Sequence, residues 1–224
     1  MHGGNDPGAV GNGLREKDLT LAISKAIKKE LLSYEGVEVL LTREDDRYLS
    51  LAERCRVANS WGADFFLSVH INAGGGDGFE SYVYRAASAK SKTAQDHIHA
   101  AVAAITNAKG WKDRGQKTAG FYVVKNTRMP ALLTENGFID TAGNADDLKQ
   151  ASFIQALGVA HAKGIAAAFG LRRKVDIPPP PFYDLVINDE GVARVSARNP
   201  DELAAAVKKF VGQRVDKITL EKRK

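Results

Sequence analysis

Two kinds of apolar pattern alternate along this chain, and the alternation restricts its fold more than any other feature. Leu19, Ile23, Ile27 and Leu31 recur at four-residue spacing and predict an amphipathic helix over 18–34. Val37–Thr42 is short and β-branched and predicts a strand. Leu49–Ser60 reads as a helix with Ser50 as its N-cap. Phe65–Ile71 is a strongly apolar strand and Phe79–Tyr84 an alternating one, followed by an alanine-rich helix over Ala87–Lys109. Phe121–Val124 and Ala131–Glu135 read as strands, and Phe153–Phe169 as a closing helix. Strands separated by helices predict an α/β domain, a mostly parallel twisted sheet flanked by helices.

That pattern stops at Pro178–Pro181, four of the seven prolines in one run, which predicts a stiff, extended linker. The expected organisation is an α/β domain over 1–172, a proline-rich linker over 173–182 and a small α+β module over 183–224. Within the module, Tyr183–Ser196 predicts two short strands turning at Asp189-Glu190-Gly191. A helix is expected over about 200–211 and a strand over Val215–Leu220. Charge follows the same division. Residues 1–171 carry 20 basic against 19 acidic side chains, whereas 172–224 carry 12 against 8. A basic C-terminal piece suits a polyanionic surface: nucleic acid, anionic lipid or the acidic polymers of a cell wall. Nucleic acid is the weakest of these, because the tail lacks interleaved aromatics or a recognisable binding motif.

No stretch approaches the roughly 18 apolar residues of a membrane span, and the chain does not open with the basic-then-apolar run of a signal peptide. The single cysteine, Cys55, excludes an intramolecular disulfide and reads as a small core residue of its helix.

Three segments carry residue types suited to metal chemistry. His2-Gly3-Gly4-Asn5-Asp6-Pro7-Gly8-Ala9 is dense in glycine and turn formers. Leu14-Arg15-Glu16-Lys17-Asp18 precedes the first helix. In Ser68-Val69-His70-Ile71-Asn72-Ala73 a histidine interrupts the end of an apolar strand, where ligand sites of α/β sheets lie. A hydrolytic zinc takes three His or carboxylate ligands and leaves a fourth position for water. A further carboxylate must move the proton, and Glu135 is a candidate because it ends the apolar run Ala131–Thr134, where a buried strand usually avoids charge. Each residue also has an ordinary structural explanation: a hydrogen-bonded His at a strand end, a glutamate at a helix N-terminus, a paired carboxylate at a sheet end, a histidine in a loose terminus. His97 and His99 lie two apart on a predicted helix and face different ways, and His161 sits in the alanine-rich closing helix. All three are poorer ligands.

These segments stand in register with a fourth, Met129-Pro130-Ala131-Leu132-Leu133-Thr134-Glu135-Asn136-Gly137-Phe138-Ile139. Leu41-Thr42-Arg43, Leu51-Ala52-Glu53-Arg54 and Gly78-Phe79-Glu80 are lesser matches. Over about residues 2–170 the chain resembles the zinc-dependent N-acetylmuramoyl-L-alanine amidases of bacterial autolysins and phage endolysins. The resemblance implies one zinc ion held by His2, Glu16 and His70, with Glu135 as acid/base. The implied reaction cuts the amide between N-acetylmuramic acid and L-alanine in peptidoglycan, at the bacterial cell wall. Asn72 and Arg114 are candidates for substrate contact. The basic C-terminal module would engage anionic wall polymer, the usual task of such an appendage in the family. A zinc peptidase acting within the stem peptide and a catalytically inactive wall-binding protein are the alternatives. Members of the family normally begin with a strand leading into the first histidine. Met1 stands directly before His2, so the sequence predicts an exposed strand edge beside the site and a looser hold on metal.

Overall fold

The computed structural model describes residues 2–174, 182–187, 190–196, 200–208 and 218–222. The chain forms two units, Met1–Lys174 and Val175–Lys224. In the first, the elements run β1 (Val10–Gly11), β2 (Leu14–Arg15), α1 (Glu16–Leu31), α2 (Leu51–Trp61), β3 (Phe66–Asn72), β4 (Phe79–Tyr84), α3 (Ala89–Asn107), β5 (Asp113–Ala119), α4 (Tyr122–Asn126), β6 (Ala131–Phe138), α5 (Ala142–Leu148) and α6 (Ala151–Phe169). The second unit holds β7 (Phe182–Ile187), β8 (Glu190–Ser196), α7 (Pro200–Lys208) and β9 (Ile218–Lys222). Its three strands pair antiparallel in the order β8-β7-β9. The proline run and the turn residue Asp189 lie outside the described residues.

The main sheet is mixed, in the order β3-β6-β4-β5. β3 runs parallel to β6 and β4 parallel to β5, while β4 and β6 pair antiparallel. Side chains alternate across a strand, so the sheet has two faces. Against one pack α1, α3 and α6, burying Ile23, Val69, Phe79, Ile98, Leu132 and Leu157 among others. On the other, α2 and α4 cover only part of the sheet, with Cys55, Ala58, Phe66, Val123, Val124 and Leu133 in a smaller core. The rest of that face, toward the carboxyl end of β3, carries His70, Glu135 and Glu80.

Two expectations need correction, and one strand was not expected. Val37–Thr42 forms no strand, although Val37 and Val39 pack on the main core. Together with β3 residues Phe66, Leu67 and Val69 it lines a groove of about 850 Å³. Phe121–Val124 enters a one-turn helix rather than a strand, and it is Val123 and Val124 that turn inward there. The fourth strand of the sheet is instead Asp113–Ala119, a polar edge segment.

Candidate active site

Glu16 organises the site. It is the first residue of α1, where two β-strand residues, Leu14 and Arg15, deliver the chain from a tight hairpin with Val10–Gly11. Its carboxylate is almost fully buried and is satisfied from four directions. Oε2 accepts the Ala9 amide at 2.9 Å and lies 3.2 Å from His2 Nε2. Oε1 accepts the Ile71 amide at 3.2 Å and lies 2.9 Å from His70 Nδ1. Burial opposes ionisation of this carboxyl, but the bonds to the two imidazoles outweigh it and hold its pKa well below the usual carboxylate range.

His2 is fixed from its other side, with Nδ1 at 2.7 Å from Asp6 Oδ2, and Asp6 Oδ1 accepts the Gly8 amide at 3.0 Å. The bond to Glu16 raises the His2 pKa against the opposing effect of burial. Gly8 has φ +67°, and a Cβ there would lie 2.5 Å from both Glu16 Oε2 and the His2 ring, so only glycine lets the opening loop close on the cluster. His70 is the more deeply enclosed of the two imidazoles, and burial pushes its pKa down to about 4. Two of the lesser motifs brace this corner. Arg43 donates to the Lys17 and Asp45 carbonyls, while Lys17 Nζ reaches the Gly4 carbonyl and Asp46. Arg54 ties Leu49 and Thr42 together.

One ligand atom each from His2, Glu16 and His70 lies within 4.8 Å of the others. Atoms bound at about 2.0–2.1 Å around a tetrahedral ion stand roughly 3.4 Å apart, so the spacing and the nitrogen–oxygen donor set fit zinc. A second observation agrees. His70 Nε2 and Glu135 Oε2 are buried without a hydrogen-bond partner among the described residues, which is unfavourable unless a further group meets these neighbouring side chains on their face of the sheet.

Glu135 sits directly across from His70 in the parallel β3–β6 pairing and across from Glu80 in the antiparallel β4–β6 pairing. Its pKa is pushed up to about 8, first by burial and then by the charges of Glu16 and Glu80. A carboxyl with that pKa exchanges a proton readily near neutral pH, as an acid/base group must.

Sequence reasoning named Asn72 and Arg114 without their partner. Asn72 Nδ2 donates to Glu80 Oε1 at 2.8 Å, and Arg114 Nε donates to Glu80 Oε2 at 3.0 Å. Lys117 Nζ also donates to Oε2. Burial alone would raise the Glu80 pKa, but Lys117 and Arg114 hold it below its usual value. The signal was present: Glu80 is a charge inside the apolar alternation of Phe79–Tyr84, the same anomaly that singled out Glu135. The other histidines stay away from the cluster. His99 is bonded to Ser81 and Asp113, and His161 to the Leu157 carbonyl and Thr134.

The fold and this cluster define a class: an α/β protein with a His–Glu–His centre fit for a metal ion and a protonatable carboxylate one strand away. The model of the N-acetylmuramoyl-L-alanine amidase family matches residues 1–167, and the chain belongs to that family. It is 54% identical over 173 residues to the sporulation-specific N-acetylmuramoyl-L-alanine amidase of Bacillus subtilis (strain 168), covering 77% of this chain and 67% of the relative. It is 43% identical over 203 residues to the endolysin of Bacillus phage SPP1, covering 89% of this chain and 75% of that protein. Among solved structures, the catalytic domain of the amidase CwlV from Bacillus (Paenibacillus) polymyxa var. colistinus superposes with a TM-score of 0.71 at 34% identity, covering 76% of this chain and 95% of that one.

Proposed function

We propose that this chain is a zinc-dependent N-acetylmuramoyl-L-alanine amidase that cuts the bond between N-acetylmuramic acid and the L-alanine of the stem peptide at the bacterial cell wall. The observation that carries the reading is the row His70–Glu135 on adjacent strands, with His2 and Glu16 closing the metal cluster beside it. His2, Glu16 and His70 hold the ion. When bound, zinc supplies Lewis acidity to the scissile carbonyl and makes water a nucleophile near neutral pH. Glu135 accepts the proton from the attacking water and delivers it to the departing L-alanine nitrogen. In the metal-free protein burial and the Glu16 and Glu80 charges favour its protonated form, and a cation at the cluster would favour the carboxylate needed to take the first proton. Asp6 and the Ala9 and Ile71 amides keep the ligands oriented, so that little reorganisation is needed on binding metal.

The second unit would hold the enzyme on the wall through its basic residues, with anionic wall polymer as its partner. The endolysin match favours a lytic role: it spans 89% of the chain, more than the 174 residues of the first unit, and so runs into the second. Among the described residues no helix is long and apolar enough to cross a membrane.

Elemental analysis of the purified chain, combined with turbidity loss of purified cell walls, tests the reading. The expected result is about one zinc per chain, clearing that chelator abolishes and zinc restores, and release of intact stem peptides from glycan. Release of peptide fragments with the muramyl–alanine bond intact would indicate a peptidase instead. Wall binding without clearing would indicate an inactive binder.

A further inference from the structure

The open face of the sheet carries a second polar centre beside the first. Crossing the strands at one level, His70 on β3 faces Glu135 on β6, Glu135 faces Glu80 on β4, and Glu80 binds Arg114 and Lys117 on β5. Glu80 is 2% exposed, and both cations bond its Oε2 while Asn72 occupies Oε1. One cation suffices to neutralise one carboxylate, so the pair leaves a local net charge of +1. Neither cation is buried: the side chains of Arg114 and Lys117 are 33% and 36% exposed. Arg114 spends Nε on Glu80 and lies 4.8 Å over the Phe138 ring, while its terminal nitrogens make no hydrogen bond among the described residues. Lys117 lies 5.7 Å from the Tyr82 ring. A planar fork with free donors, held in place on an aromatic surface, is pre-organised to receive a carboxylate.

We propose that Arg114 and Lys117, held side by side by Glu80, form a subsite for a free carboxylate on the stem peptide and make the chain selective for acidic over amidated stems. This rests on the amidase reading, whose scissile bond lies between the metal cluster and Glu135. Position sets which carboxylate is read. Strands are spaced about 4.8 Å apart, so β5 lies about 10 Å beyond β6, the length of about three extended residues. The subsite therefore meets the peptide a few residues past the cut, while Glu80 acts as a positioning residue that never touches substrate.

Two synthetic muropeptides, identical except for a free carboxylate or a carboxamide on the stem, test the proposal. The unmodified enzyme is expected to favour the acid in kcat/KM by about tenfold or more, the worth of a charge-assisted hydrogen bond. Arg114→Gln and Lys117→Met each shrink that ratio, the double variant brings it close to one, and the change lies mainly in KM. A ratio near one in the unmodified enzyme, or one unchanged in the variants, overturns the proposal. If Arg114→Gln fails to fold, as thermal unfolding would reveal, Lys117→Met carries the test. Calorimetric binding of the two free stem peptides separates this idea from the amidase reading. Tighter binding of the acid form without cleavage of either muropeptide would retain the subsite and sink the amidase. Cleavage of both with equal binding would do the reverse.

Discussion

At the scale of single residues, the role proposed for Glu135 stands in opposition to stability. The folded chain keeps a proton on this carboxyl up to about pH 8, whereas an unfolded chain releases it near the ordinary value of 4.5. Between those limits the folded state binds more protons, so the metal-free protein loses stability as pH rises through that window. Glu135→Gln removes the ionisable group at nearly constant shape. In denaturant titrations with chelator at pH 8, it is expected to be more stable than the parent by about 2–4 kcal/mol, since one pK unit is worth about 1.4 kcal/mol. At pH 4 the two are expected to be alike, and wall clearing by the variant is expected to fall by about a hundredfold or more. An equal pH profile for both proteins would show that burial does not govern this carboxyl. Of the four candidate site residues, His70 and Glu135 were legible as polar groups ending apolar strands, whereas His2 and Glu16 had ordinary readings on their own and were brought to the site by the family resemblance. Lys117 was not legible, because a lysine in a polar segment has no distinguishing pattern. Its role comes from β5 lying beside β4, which only the pairing reveals.

Among the elements, α2 was the most legible. Ser50 and Glu53 form a reciprocal capping box, with the Glu53 amide donating to Ser50 Oγ at 3.3 Å and the Ser50 amide to Glu53 Oε2 at 2.8 Å. Ser50→Ala is expected to lower stability by about 1 kcal/mol in chemical denaturation, with little effect on clearing of walls. Gly78 is more demanding. It has φ +110°, and a Cβ there would stand 1.9 Å from the Lys112 carbonyl oxygen, where β4 and β5 begin. Gly78→Ala is expected to destabilise by more than about 2 kcal/mol and to disturb the Glu80 centre two residues on, visible as a fall in both melting temperature and kcat/KM. The elements that sequence misread share a cause. The polarity of Asp113–Ala119 reflects its place at the sheet edge, where positions alternate only between exposed and half-buried and none is buried enough to demand an apolar side chain. The apolar runs Val37–Thr42 and Phe121–Val124 carry strand composition, yet their side chains meet the core without a neighbouring ladder. Composition records apolar contact rather than pairing: Val37, Val39, Val123 and Val124 meet the core by packing, while Leu40, Phe121 and Tyr122 stay exposed.

For the molecule as a whole, a metal bound at the proposed site would be coupled to the fold. His2, Glu16 and His70 come from the opening loop, the first helix and the first strand of the main sheet, so an ion joins segments that are otherwise held by hydrogen bonds. Zinc at about a hundred times its dissociation constant adds about 2.7 kcal/mol. Chelation is therefore expected to lower the melting temperature of the full chain by roughly 5–10 °C, and the shift is expected to vanish in His70→Ala. A melting curve indifferent to chelator would separate the cluster from metal binding. The strand order carries a consequence for biosynthesis. β6 lies between β3 and β4 in space but follows both, and α3 and β5 as well, along the chain. Until Ala131–Phe138 has been made, β3 and the β4–β5 pair have no strand to join them, with His70 on the one and Glu80 on the other. Glu135 lies on that joining strand, so under the proposed mechanism a partly synthesised chain would carry His2, Glu16 and His70 without the group that moves the proton, and hydrolytic competence would arrive with the closing of the sheet.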